Sequence, residues 1–145
     1  MEFKTITEGF VQACTAHPKP DALRFKKDGV WHDISSAKLL ERVKHVSLAL
    51  VEAGIQKNDK GALLCENRPE WAIADYAILC AAGITVPIYP TQMADQVKYI
   101  LENSESKLLL VSSQKQLDRI LPEIRGLAVL ERIVVMDGKA DPAAH

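Results

Sequence analysis

The chain has 145 residues, a formal net charge of -1, 48% hydrophobic and 26% charged residues, the balance of a globular domain rather than of a disordered or fibrous chain. At this length a folded chain buries about 68–70% of the surface its unfolded form exposes, so a core forms without disulfide or metal staples, and one domain is expected. The 18 basic and 19 acidic residues are interspersed, which excludes the concentrated basic face that nucleic acid or an anionic membrane requires.

Residues 76–84, the longest apolar stretch, fall short of the ~18–20 residues that cross hydrocarbon. The start Met1-Glu2-Phe3-Lys4 lacks the apolar core of a signal peptide, so a cytoplasmic chain without a transmembrane segment is expected. Cys14, Cys65 and Cys80 are odd in number and widely spaced, with no CxxC and no histidine pair at ligand spacing. They read as buried or half-buried free thiols rather than a disulfide framework or a zinc site.

In chain order, Thr5-Ile6-Thr7-Glu8 has the form of a capping box, and Phe10, Val11 and Cys14 follow at helical spacing, which predicts a helix over 6–16. Leu23-Arg24-Phe25 and residues 30–34 alternate about the Asp28-Gly29 turn and predict a β-hairpin. Leu39, Val43, Val46 and Leu50 form one face of an amphipathic helix over 36–53, ended by Gly54. Residues 61–65 are a short apolar run suited to a strand buried on both faces. Asn67-Arg68-Pro69-Glu70 then supplies an Asn N-cap, a proline in the first turn and Glu70 three residues after the cap, opening a helix that continues to about 82. That helix is apolar on nearly every side, with Asp75 and Tyr76 as polar handles, Trp71 read as core and Gly83 as its left-handed cap.

Residues 85–87 form a second short strand, with Pro87 and Pro90 stiffening its exit. Beyond it come a helix over 95–102, a buried strand over 107–112, a helix over 113–121 with a Ser113-x-x-Gln116 cap, and a last strand over 132–136. Strands separated by helices predict an α/β fold, a parallel sheet flanked by helices with one small hairpin. The domain is expected to span 1–136, with 137–145 as a mobile tail.

In such a sheet, ligands bind outside the carboxyl ends of the strands, at Glu66-Asn67-Arg68, residues 88–93, Ser112-Ser113 and Asp137-Gly138-Lys139. None of these carries a recognised catalytic set. The chain has no GxGxxG and no GxxxxGK(S/T), and Gly138-Lys139 has no glycine before it at phosphate-loop spacing. His17, His32, His45 and His145 are scattered and read as surface or half-buried, and no acidic pair is placed for acid–base work.

Residues 64–75, with the string ENRPEW, and residues 81–91, with the string VPIYPT, resemble the early part of long-chain fatty-acid–CoA ligases of the AMP-forming, adenylate-forming superfamily. Residues 54–60, 96–104 and 108–111 are similar to the flanking segments there, and the resemblance spans almost the whole chain. Lys60-Gly61-Ala62 departs from the family's more usual Arg-Val-Ala.

The resemblance implies a flavodoxin-like N-terminal subdomain of an enzyme that converts ATP, fatty acid and CoA to acyl-CoA, AMP and pyrophosphate. It implies ATP, magnesium and CoA as cofactors of that parent, none of them tightly bound to this chain. Its partner is then the rest of the ligase, which is cytoplasmic or peripheral to a membrane. The family's serine- and threonine-rich phosphate loop, its Tyr-Gly-x-Thr-Glu segment, its ribose-binding aspartate and its mobile-domain lysine match no position here, so the chain alone is expected to be inactive, with no catalytic or metal-binding residue. By the same resemblance the turn after the second strand lies toward the CoA nucleotide, which makes Pro90 and Thr91 the candidate cofactor contacts. By themselves these residues read as a stiffened loop and a helix start. A non-catalytic module that pairs with itself, as a homo-oligomer, or with another chain is the alternative.

Overall fold

Two turn signals, a succession of helix caps and three short apolar runs organise the chain into five helices and six strands within residues 2–138, which the computed structural model describes. These residues divide into two compact units, one made of 2–59 and 67–85 and the other of 60–66 and 86–138.

The first unit opens with α1 (Ile6–Ala16), where the Glu8 N–H donates to Thr5 Oγ1 at 3.1 Å. The Glu8 carboxylate returns to the Lys4 N–H at 2.7 Å rather than to the cap residue itself. Strands β1 (Leu23–Lys27) and β2 (Val30–Ile34) pair antiparallel, Lys27 opposite Val30 and Leu23 opposite Ile34. Asp28 and Gly29 take positive φ values of 51° and 81°, the pair that a two-residue hairpin turn demands. Because that turn sets the register, pairing runs two residues beyond the alternating triplet 23–25.

Helix α2 (Ser36–Glu52) is capped by Ser35, whose hydroxyl accepts the Lys38 N–H at 3.2 Å. Its buried stripe is Ser36, Leu39, Val43, Ser47 and Leu50. At its end Gly54 adopts φ 93°, so that the Ile55 N–H donates to the Leu50 carbonyl at 3.0 Å, and only glycine takes that conformation without strain. Helix α3 (Pro69–Cys80) packs against α1 and α2, and the Tyr76 ring, read as a polar handle, stacks on Phe10 at 4.0 Å between centroids.

Three expectations about α3 are corrected. Arg68, not Asn67, is the N-cap, and no side chain caps the first turn, because Pro69 occupies the first helical position and fixes the preceding residue in an extended conformation. Glu70 instead takes the Arg68 guanidinium at 2.7 Å. At the other end Ala82, not Gly83, is left-handed at φ 59°. Gly83 serves close packing: an added Cβ would lie 3.0 Å from Ile78 Cγ2 and 3.1 Å from the Asp59 carbonyl oxygen. Cys80 is exposed, unlike buried Cys14 and Cys65, because Ile73, Ala74, Ala77 and Ile78 define a buried face from which position 80 turns away.

The second unit carries β3 (Lys60–Leu64), α4 (Ala94–Ser104), β5 (Ser106–Val111), α5 (Gln114–Ile124) and β6 (Arg132–Val135), with β4 (Ile84–Ile88) completing the sheet. The order is β4-β3-β5-β6, with β3 parallel to β5 (Leu64 opposite Val111) and β5 parallel to β6 (Val111 opposite Val135). Helices flank this parallel sheet, as the alternation of elements predicts.

Ala62, Leu64, Leu109 and Val111 pack with Val97 and Leu101 of α4 and with Leu117, Ile120 and Ile124 of α5 into one core cluster. The alternate residues Leu63, Leu108 and Leu110 are also buried, which explains why β3 and β5 read as continuous apolar runs. Helix α5 runs past Pro122 to Ile124 instead of stopping at 121. Burial of Ile124 beyond the proline offsets the hydrogen bond that Pro122 forgoes.

Candidate functional site

Strand β4 lies on one side of β3 and strands β5 and β6 on the other, so the chain reverses direction across the sheet between β3 and β5. The carboxyl ends at such a switch point are where an open α/β sheet receives ligands. There Glu66 follows β3, and Ser112 and Ser113 follow β5, with Ser113 capping α5 by accepting the Gln116 N–H at 3.3 Å.

The loop leaving β4 is a tight turn in which the Gln92 N–H donates to the Tyr89 carbonyl at 3.1 Å. Pro90 and Thr91 are its two central residues, Pro90 half-buried and Thr91 exposed. Proline at the first central position presets the φ that a turn needs.

A side-chain network missed by the sequence reading holds this turn. Arg119 of α5 donates from Nη2 to the Pro90 carbonyl at 2.9 Å and from Nη1 to the Gln92 carbonyl at 2.6 Å. Its Nε donates to Gln116 Oε1 at 3.0 Å, and Gln116 Nε2 donates in turn to Glu66 Oε1 at 2.7 Å. The residues following β3, the turn after β4 and the first turns of α5 are thereby tied together by charge-assisted bonds. The only signal in the sequence is that Gln116 and Arg119 stand three apart on one helix face, and nothing local points from them to residues 66 or 90.

The remaining candidates stay apart. His17 caps α1 through its backbone N–H, His32 stacks on Phe25 at 5.3 Å and His45 lies exposed on α2. His145 and Lys139 lie outside the described residues, as does all of the expected tail except Asp137 and Gly138. The Asp137 N–H donates to the Ser112 carbonyl at 3.1 Å. Desolvation pushes the Cys14 and Cys80 thiols up from their ordinary pKa, the opposite of what an activated nucleophile needs.

Among the described residues no three His, Cys, Asp or Glu side chains converge to hold a metal ion. The sequence has no glycine-rich loop of the GxGxxG or GxxxxGK(S/T) form to cradle a triphosphate. No helix among them is long and apolar enough to cross a membrane.

A four-stranded parallel sheet with its switch point at β3 and β5, together with a helical unit bearing a hairpin, defines an α/β fold of the kind found in the N-terminal domains of adenylate-forming enzymes. Residues 10–144 match the family model described as AMP-binding enzyme, and the chain belongs to that family. Its sequence is 31% identical over 140 residues to the long-chain-fatty-acid–CoA ligase FadD15 of Mycobacterium bovis, a match covering 86% of this chain and 23% of that protein. It is 29% identical over 130 residues to the long-chain-fatty-acid–CoA ligase ACSBG2 of Xenopus laevis, covering 90% of this chain and 18% of that one.

The chain thus corresponds to the N-terminal part of these ligases and spans about a fifth of their length. Among solved structures, coronafacic acid ligase from Pectobacterium brasiliense superposes with a TM-score of 0.79 at 24% identity, covering 94% of this chain and 26% of the other. The N-terminal domain of FACL13 from Mycobacterium tuberculosis superposes with a TM-score of 0.75 at 23% identity, covering 92% and 33%. At these identities the likeness is one of fold.

Proposed function

We propose that these residues serve as scaffold in a cytoplasmic long-chain fatty-acid–CoA ligase, whose whole reaction joins a fatty acid to CoA while ATP is cleaved to AMP and pyrophosphate. The 145-residue chain by itself is inactive in this reading. The observation that carries it is the state of the polar groups beside the switch point. Arg119 and Gln116 are engaged with backbone carbonyls, with each other and with Glu66, which suits a brace and leaves their donors committed away from a triphosphate. Pro90 and Thr91, held in that braced turn, are the proposed contacts for CoA, with Thr91 presenting an exposed hydroxyl.

ATP–pyrophosphate exchange with a long-chain fatty acid tests the reading on the chain as it stands. Exchange no greater than that of a heat-killed control is expected, and turnover above it overturns the claim of inactivity.

A second reading, association with a further copy or another protein, is favoured by β6. This strand ends the sheet, and Ile133 and Val134 on its two faces are 38% and 41% exposed. Light scattering that finds only monomer at high concentration counts against it.

A further inference from the structure

Consecutive residues of β1, Leu23 to Lys26, line a groove of about 450 Å³ in the first unit together with Trp31 and the start of α3. Successive side chains of a strand point to opposite faces, so a groove lined by neighbours in a row runs along the edge of the strand and not over one face. Arg68 and Trp71 of the other wall bring both tryptophans of the chain to this edge.

The hairpin register fixes what the edge offers. The two-residue turn at Asp28 and Gly29 makes Lys27 and Val30 a hydrogen-bonded pair, and the pairs then alternate. Lys26 with Trp31 and Arg24 with Asp33 are the non-bonded pairs, and Phe25 with His32 lies between them as a bonded one. The backbone N–H and C=O groups of Arg24 and Lys26 therefore point away from β2, and they have no hydrogen-bond partner among the described residues. A two-stranded hairpin is marginal alone, and a row of open edge groups is a template for a third strand.

Charge decides which strand fits. Arg24, Lys26 and Arg68 line the groove and no acidic side chain does. Arg24 is paired with Asp33 at 2.6 Å and Arg68 with Glu70 at 2.7 Å, whereas Lys26 has no ion-pair partner among the described residues. Pairing with the same edge of a second copy would set Arg24 and Lys26 against like charges, which is destabilising.

We propose that the β1 edge docks an extended acidic segment of a partner protein, added as a third strand with its backbone on Arg24 and Lys26 and a carboxylate on Lys26 Nζ. In strand addition the main-chain bonds supply affinity and the flanking side chains supply selectivity. A groove of mixed polarity suits a peptide, whose backbone needs donors and acceptors along its whole length. Tryptophan and arginine are the residues that most often dominate interface energies, and Trp31 is 61% exposed. The inference stands on the first unit alone and holds whether or not the chain serves in a ligase.

The test is an assigned amide spectrum of the whole chain titrated with a blocked hexapeptide of alternating glutamate and valine. At saturation the Arg24 and Lys26 amides are expected to shift and to exchange more slowly, while the Phe25 amide, already bonded to β2, keeps its protection. Lys26→Gln weakens binding about tenfold, the loss of one charge-assisted contact, and Lys26→Arg retains it. Lys27→Gln, whose cross-strand partner is Val30 on the opposite hairpin face, leaves the titration unchanged. The same peptide N-methylated along its backbone keeps its charge, loses its donors and is expected not to bind. Far-ultraviolet circular dichroism establishes that each variant is folded. Absence of saturable shifts, equal binding of the N-methylated peptide or of a lysine–valine counterpart, or indifference to Lys26→Gln each overturns the proposal. Tighter binding of oligothymidylate overturns it too, by assigning the tryptophans to base stacking. Pyrophosphate exchange is read separately, so failure here and failure of the ligase reading are distinguishable.

Discussion

Arg119 and Pro90 are 29 residues apart, yet the Arg119 guanidinium donates to the Pro90 carbonyl at 2.9 Å while its other terminal nitrogen reaches the Gln92 carbonyl at 2.6 Å. A planar fork with fixed donors suits two carbonyls of one turn, and a lysine ammonium in the same place offers only a point charge. The brace acts on the turn and not on the core, since Arg119 is exposed.

Arg119→Ala is therefore expected to lower hydrogen-exchange protection at the Gln92 amide, which closes the turn onto Tyr89. Global stability changes by less than about 1 kcal/mol, as for other exposed charged contacts. Arg119→Lys recovers part of the protection. Unchanged exchange at Gln92 in the alanine variant would show that the turn holds itself.

The end of α3 sets two neighbouring residues against each other. Gly83→Ala forces a Cβ to 3.0 Å from Ile78 Cγ2 and 3.1 Å from a backbone oxygen, and is expected to destabilise by about 1–3 kcal/mol. Ala82→Gly removes a left-handed alanine at φ 59° and is expected to gain about 0.5–1 kcal/mol after the added freedom of the unfolded chain is counted. Urea midpoints at constant slope measure both, and the same sign for the two variants would contradict this account.

The hairpin carries a pH dependence. Hydrogen bonds from Arg24 at 2.6 and 3.1 Å hold the Asp33 carboxyl below its ordinary pKa. A folded-state pKa below the unfolded value, about 3.9, contributes stability above that value and loses it as pH falls through the folded one. The stability gap between the parent chain and Asp33→Asn should be present at neutral pH, close in the acid range below about pH 4, and shrink in about 1 M salt because the pair is exposed. A gap that grows in acid would rule out this pairing as its source.

Core and surface separate cleanly in the second unit. Ile120 is 0% exposed within the cluster formed by α4, α5 and the sheet, so Ile120→Ala is expected to cost about 2–5 kcal/mol. Tyr99 on α4 is 65% exposed, and Tyr99→Ala should stay within about 0.5 kcal/mol. Thermal unfolding of the two variants compares them directly, and similar losses would mean that Tyr99 is covered in solution.

Short-range chemistry in the sequence by itself determined much of this protein. Thr5 and Ser113 each accept the N–H three residues on and Asp28-Gly29 makes the hairpin turn, as their local patterns imply, while the Glu8 carboxylate closes on the Lys4 N–H instead of on Thr5. The apolar runs of β3 and β5 announced strands buried on both faces, and the alternation of helix and strand announced a parallel sheet. The ENRPEW and VPIYPT strings pointed to the ligase family that the matched relatives represent.

Only the tertiary structure decided the order β4-β3-β5-β6, the persistence of α5 through Pro122, and the brace from Arg119 to the turn at Pro90. Only it brought Trp31 and Trp71, 40 positions apart in the sequence, to one groove. Caps and periodicity are set by bonds between near neighbours, which a sequence displays. Strand order, Pro122 and Arg119 depend on burial and hydrogen bonds between residues far apart in the chain, whose free energy exists only once the elements pack.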